Sequence, residues 1–152
     1  MLSRLGAELD QLEVARDRLL MAAFLQYTLP GSPSLYYGDE ALMEGYRDPF
    51  NRRTYPWGQE DREVLDFFRS LGKLRNSQEA IRLGDISFFA AGDKHLGYTR
   101  SWKGKQVKIY VNRSGDPWDI PVGRVIFGVN LQTITTERLS LAPRGFCVVE
   151  EE

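Results

Sequence analysis

The chain has 152 residues, 42% of them hydrophobic and 27% charged, the proportions of a globular protein with a packed core. Twenty basic and 21 acidic residues leave a net charge of −1, spread evenly over both halves, so charge draws the chain neither to nucleic acid nor to an anionic membrane. A single cysteine, Cys147, excludes an internal disulfide and a cysteine-based zinc cluster, and no apolar run reaches the about 20 residues of a membrane-spanning helix.

The first predicted element is a helix in LDQLEVARDRLLMAAFLQY. Leu12, Ala15, Leu19, Ala22 and Ala23 recur at helical spacing, with Glu13, Arg16 and Asp17 on the other side. Pro30, Gly31 and Pro33 stop it. The apolar run SLYY that follows does not alternate, the pattern of a strand buried on both faces of a parallel sheet. A long loop leads to a second predicted helix over about Glu60 to Arg75. Its stripe is Val64, Phe68 and Leu71, flanked by Leu65 and Leu74, with acids at its start and bases at its end.

From about Leu83 the pattern changes to short runs separated by turn chemistry: ISFFA, LGYTR, VKIYV, RVIFGV, LSL and GFCVV. Val107, Ile109 and Val111 point one way and Lys108 and Tyr110 the other, so this half reads as an antiparallel sandwich or barrel. Cys147 lies in one of the runs and reads as a buried, inert thiol. Trp102, Trp118, Tyr98 and Tyr110 read as packing or turn residues, and His95, beside a turn and without other metal-ligand types near it, as a surface residue. A helix–strand–helix unit cannot satisfy one apolar strand's backbone groups alone. The order therefore looks like the end of a larger α/β fold followed by an antiparallel domain.

The stretches PGSPSLYYGDE and EGYRDPFNRRTYPW together resemble the last barrel strand and following loop of the α-amylase family of glycoside hydrolases, most of all its cyclomaltodextrinase, neopullulanase and maltogenic amylase group. LRNSQEAIRLGDISFF is similar to that family's passage into its C-terminal β-domain, and KIYVNRSGDPWDIPV to that domain's central strand and turn. The resemblance implies an α+β chain: residues 1–78 as the last helix–strand–helix of a (β/α)8 TIM barrel, and residues 79–152 as an all-β antiparallel sandwich. It implies a parent that cleaves α-1,4, and in some members α-1,6, glucosidic bonds of maltodextrins or cyclodextrins by a retaining double displacement, with an α-glucan oligosaccharide as partner. The three catalytic carboxylates of that chemistry would precede Met1, so the chain is expected to be a C-terminal fragment, inactive alone and holding no cofactor. A calcium site in the parent stays open. The alternative is a non-catalytic carbohydrate-binding or structural module. The group suggests a cytoplasmic rather than a secreted protein, and the N-terminal MLSRLGAELDQ lacks the pattern of a signal peptide.

Within the loop, Asp48 and Arg52 match the family's D-P-x-x-R pattern, which implies contact with the hydroxyls of one glucose unit. A carboxylate accepts two hydroxyl hydrogens and a guanidinium donates to their neighbours. The competing reading is a turn at Asp48-Pro49 with Arg52 merely paired across it. Asp39 and Glu40, as neighbours in extended chain, point apart and make a poor acid/base pair, so they read as loop anchors; Tyr37 and Trp57 read as packing or loop anchors ahead of the alternative of sugar platforms, and Arg53 as an anchor paired to an acid of the loop. The family's glycine after G-D-E is replaced by Ala41-Leu42, which predicts a backbone that avoids positive φ. The exposed edge of the strand Ser34–Tyr37 is expected to favour a homo-oligomer.

Overall fold

The computed structural model describes residues 9–45, 47–133 and 138–150. Tyr46 of the motif loop and the first eight residues, read above for a leader, lie outside the described residues. The chain divides into two compact units: one runs through Tyr27 and takes in Ser32–Lys73, the other comprises Thr28–Gly31 and Leu74–Glu152.

The first unit holds most of helix α1 (Leu9–Thr28) and of α2 (Arg62–Ser77), with the motif loop between them. In α1 the buried apolar residues are Leu20, Met21, Ala23 and Phe24, whereas Ala22 of the expected stripe is exposed. The large phenyl of Phe24 sets the phase of the buried face, and small alanines leave that phase undetermined. Tyr27 puts its ring edge against Phe68 at 6.4 Å, and Arg16 pairs with Glu63 at 2.8 Å. At the start of α2 the Asp61 carboxylate accepts the Val64 backbone N–H at 3.0 Å, a side-chain cap on an otherwise orphaned donor. Val64, Phe68 and Leu71 are buried as the periodicity predicts.

The expected strand does not form. Ser34–Tyr37 has no ladder partner, and Leu35, Tyr36 and Tyr37 are 39%, 48% and 42% exposed rather than buried on both faces. A strand is defined by its neighbours, and no second strand closes the ladder among the described residues of this unit.

The second unit is a six-stranded antiparallel sheet with one short helix, α3 (Glu79–Leu83). Its strands are β1 (Asp85–Ala91), β2 (His95–Trp102), β3 (Lys105–Asn112), β4 (Trp118–Pro121), β5 (Arg124–Thr133) and β6 (Arg138–Glu150). The β2–β3 hairpin closes through Lys103 and Gly104, both at positive φ, the two-residue turn whose twist suits antiparallel strands. Long β6 has β5 along one edge; on the other, β3 pairs with its C-terminal half and β4 with its N-terminal half. Between these halves Arg144 takes a positive φ of 61°. Gly145 belongs there because a Cβ would meet the carbonyl oxygens of Asn130 and Ala142 at 2.7 and 2.8 Å. The expected sandwich thus takes the form of one continuous sheet. Tyr110, Ile120, Leu139, Leu141, Cys147 and Val149 share one core cluster, with Trp118 and Leu131 against it. Val107, Ile109 and Val111 are buried on the opposite face, and α3 packs over β2 and β3.

His95 is not the surface residue expected. It stacks on Trp118 at 4.3 Å and 14°, because the β4 indole lies over the strand end that carries it.

Burial lifts the Tyr98 phenol from its ordinary 10.0 to about 12, and the Cys147 thiol from 9.0 to about 12. Each is held neutral in the fold and ionises earlier in the unfolded chain, so stability is present below the unfolded pKa and is lost as pH rises above it. Stability should fall by about 1.4 kcal/mol per pH unit above pH 9, and by about twice that above pH 10. Urea midpoints between pH 8.5 and 11 would show the decline; a flat profile would refute the burial of both groups.

Candidate functional site

The motif loop is built outward from the end of α1. Gln26 donates to the Ser34 carbonyl at 2.6 Å, which fixes the exit of the chain. Gly38, at φ 95°, then turns it into a single 3-10 turn, Asp39–Ala41. The Met43 N–H bonds to the Gly38 carbonyl at 2.8 Å, and a Cβ on Gly38 would strike the Met43 side chain. Leu42, at φ 53°, closes the turn in the left-handed region. Loss of the family glycine therefore has not removed the positive φ: the closed turn demands it, and Leu42 takes on a strain of about 1 kcal/mol.

Glu40 accepts the Gly38 N–H at 2.9 Å. Desolvation, with the facing carboxylates of Glu40 and Glu60, pushes the Tyr55 phenol above its ordinary value. Asp39 is half-buried, and that burial, with the charge of Glu40, raises its carboxyl. Tyr37 donates to the Arg53 carbonyl at 3.0 Å, so these two expected anchors do meet, through the Arg53 backbone. No bond brings the Asp39 and Glu40 carboxylates onto a common partner among the described residues. Glu40 thus closes the turn on the Gly38 N–H, a structural task.

Asp48 and Arg52 come together. The Phe50 N–H bonds to the Arg47 carbonyl and the Arg52 N–H to the Pro49 carbonyl, closing a tight turn, and Arg52 Nε lies 2.8 Å from Asp48 Oδ1. Both readings of the pair meet here: it does span a turn, yet its side chains remain 70% and 60% exposed. At that exposure the ion pair contributes at most about 1 kcal/mol to stability, and its remaining donors and acceptors face solvent. Between them, the buried Asn51 Oδ1 has no hydrogen-bond partner among the described residues. Sequence reading passed over Asn51, whose only signal is its place inside D-P-x-x-R.

Trp57 departs from expectation. Its side chain is not buried as an anchor but is 82% exposed, with its ring 4.6 Å from that of Tyr55. Beside it an open groove of about 770 Å³ is lined by Leu42, Met43, Glu44, Arg53, Thr54 and Gln59, among others.

No protein-family model matches the chain. It is 38% identical over 125 residues to an amylopullulanase of Thermoanaerobacter thermohydrosulfuricus, covering 76% of this chain and 8% of that protein. It is 36% identical over 143 residues to a cyclomaltodextrinase of Geobacillus thermopakistaniensis, covering 90% of this chain and 24% of the relative. The chain thus spans less than a quarter of the length of both relatives. The crystal structure of a debranching enzyme from Nostoc punctiforme has the same fold over 95% of this chain and 33% of its own, with a TM-score of 0.77 at 22% identity. By these relationships the chain belongs to the α-amylase family of glycoside hydrolases.

Proposed function

We propose that the chain is the C-terminal portion of a retaining hydrolase of starch-type α-glucans, its role to hold substrate beside chemistry carried out elsewhere. Residues 1–78 correspond to the last helix–strand–helix of a (β/α)8 barrel, and residues 79–152 to the β-domain that follows. Support comes from the relatives, whose names denote action on starch-type glucans or cyclodextrins and which are several times longer than this chain. In such a barrel the unpaired segment Ser34–Tyr37 gains its ladder from a preceding strand, and the loop after it lies at the functional face.

The observation that carries the reading is the Asp48–Arg52 pair, held at 2.8 Å on a closed turn with both side chains open to solvent. Its carboxylate accepts from vicinal hydroxyls and its guanidinium donates to the neighbouring hydroxyl oxygens, so one glucosyl ring meets a paired acceptor and donor. Double displacement needs a nucleophilic carboxylate and an acid/base carboxylate on either side of the bond. In this reading other segments of the parent supply both. Binding a ring remote from the cut contributes by orienting the reacting one.

The test is kinetic. The 152-residue chain alone should release no reducing sugar from β-cyclodextrin, whereas the parent that contains it should. In that parent, Asp48→Ala or Arg52→Ala should lower kcat/KM by roughly tenfold to a hundredfold, the worth of a hydrogen bond to a charged group. Turnover by the chain alone, or unchanged kcat/KM in both variants, would refute the proposal.

A further inference from the structure

Thr28 to Gly31 carry the chain from the end of α1 into the motif loop, yet they belong to the compact unit that holds the β-sheet. Side chains of that unit hold them at four points. The Thr28 and Tyr98 hydroxyls share a hydrogen bond at 2.6 Å, and Arg100 donates to the Thr28 carbonyl at 2.6 Å. Arg75, in the last turn of α2, donates to the carbonyls of Leu29 and Gly31. Thr28 and Tyr98 are fully buried and both arginines are buried with them, so water does not compete for these bonds. Three of the four bonds come from guanidinium groups, the stronger kind of donor.

The chain that leaves this clamp is stiff. Pro30 and Pro33 each have a locked φ, and Gly31 turns at φ 103°. Gln26 then holds the Ser34 carbonyl at 2.6 Å. Three residues further on, the Tyr37 hydroxyl donates to the Arg53 carbonyl at 3.0 Å, at the foot of the turn that pairs Arg52 with Asp48. A contiguous route of bonded groups and stiff backbone therefore leads from Thr28–Gly31 to the Asp48–Arg52 pair, the physical form that coupling between distant residues takes. With few soft torsions on the way, a shift at the clamp is passed on rather than absorbed.

We propose that Arg75, Tyr98 and Arg100 are positioning residues for the Asp48–Arg52 pair. By fixing Thr28–Gly31 they fix the stretch from which the motif loop departs, and so the place at which the pair meets a glucosyl ring. The proposal rests on the α-glucan reading above and adds to it three residues that act without touching substrate. It gives the β-rich unit a kinetic role besides any contribution to stability. A small displacement suffices, since misplacement by about 1 Å can cost up to about a hundredfold in rate.

The experiment is a double-mutant cycle in the full-length parent, read as kcat/KM on β-cyclodextrin at a temperature at which circular dichroism shows each variant folded. Arg75→Lys and Arg100→Lys keep the charge but cannot span two carbonyls, and Tyr98→Phe removes only the hydroxyl on Thr28. Either lysine variant should lower kcat/KM at least about fivefold, and Tyr98→Phe about threefold. Asn112→Ala, which loosens the turn after β3 without touching Thr28–Gly31, should match the wild type. In an Arg52→Ala background the Arg100→Lys loss should shrink below about twofold, because the pair through which it acts is gone. Where a lysine variant does not fold, Tyr98→Phe carries the same cycle. If the clamp variants match the wild type while Arg52→Ala loses activity, the positioning role is wrong and the α-glucan reading stands. The role is likewise overturned if Asn112→Ala loses as much, or if the clamp losses persist in full beside Arg52→Ala. If Arg52→Ala and Asp48→Ala both cost nothing, the α-glucan reading fails and the positioning role falls with it.

Discussion

Arg100→Met should destabilise the β-rich unit by about 3–5 kcal/mol, the largest loss expected from any single substitution away from the motif loop. Arg100 lies in β2 with only 1% of its surface exposed. One terminal nitrogen donates to the Thr28 carbonyl at 2.6 Å and the other to the Gly84 carbonyl at 2.7 Å. Thr28 is the last residue of α1, and Gly84 directly follows α3. Carbonyls at helix ends lack acceptors' usual partners within the helix and carry its negative pole, so a cation with a fork of donors is well matched to them. Arg75 does the same for the carbonyls of Leu29 and Gly31. Desolvation holds the Arg100 guanidinium below its ordinary pKa, so each hydrogen bond offsets part of a real penalty. Methionine keeps most of the volume and leaves both carbonyls without their donor; lysine keeps the charge but cannot span the two. Urea midpoints should rank wild type above Arg100→Lys and Arg100→Met. A loss below about 1 kcal/mol in both would show that solvent takes over the carbonyls and that the bridge contributes little.

What could be read from the residues follows from how local each signal is. The Lys103-Gly104 hairpin was legible because turn residues and flanking alternation coincide, and the stripe of α2 because three large apolar groups recur at one spacing. The Asp48–Arg52 pairing followed from a five-residue turn. Where the determinant is distant, reading failed. The run SLYY has strand composition, but a strand exists only with a partner ladder, and none is present among the described residues of its unit. A strand arginine such as Arg100 reads as solvent-facing until α1 and α3 place carbonyls over it. Leu42 was assigned an ordinary backbone because it is not glycine, yet closure of the Gly38–Met43 turn outweighs that preference. Trp57, directly after Pro56, reads as a loop anchor; its exposure depends on what the Tyr55–Gln59 turn faces, which no local pattern encodes.

Asn112 offers the second large effect, and one whose size depends on pH. The side chain is fully buried at the end of β3. Its amide nitrogen donates to the carbonyls of Asp116, Leu141 and Ala142 at 2.8, 2.9 and 3.1 Å, and its oxygen accepts the N–H and hydroxyl of Ser114. The residue therefore fastens the turn after β3 to β6, at the point between its two pairing halves. Asn112→Ala removes the donors from buried carbonyls and should cost about 2–4 kcal/mol. Asn112→Asp keeps the shape but is acceptor-only when ionised, and it turns a negative charge toward three carbonyl oxygens. At pH 7 it should be the least stable of the three proteins. Protonation restores one donor, so the folded state of this variant binds its proton more tightly than the unfolded chain, and its stability must rise as pH falls. Urea midpoints at pH 7 should rank wild type, Asn112→Ala and Asn112→Asp in descending order, and the gap between the two variants should narrow by pH 5. If Asn112→Asp instead matched the wild type at pH 7, the three carbonyls would not depend on the Asn112 donors, and its role in fastening β3 to β6 would be refuted.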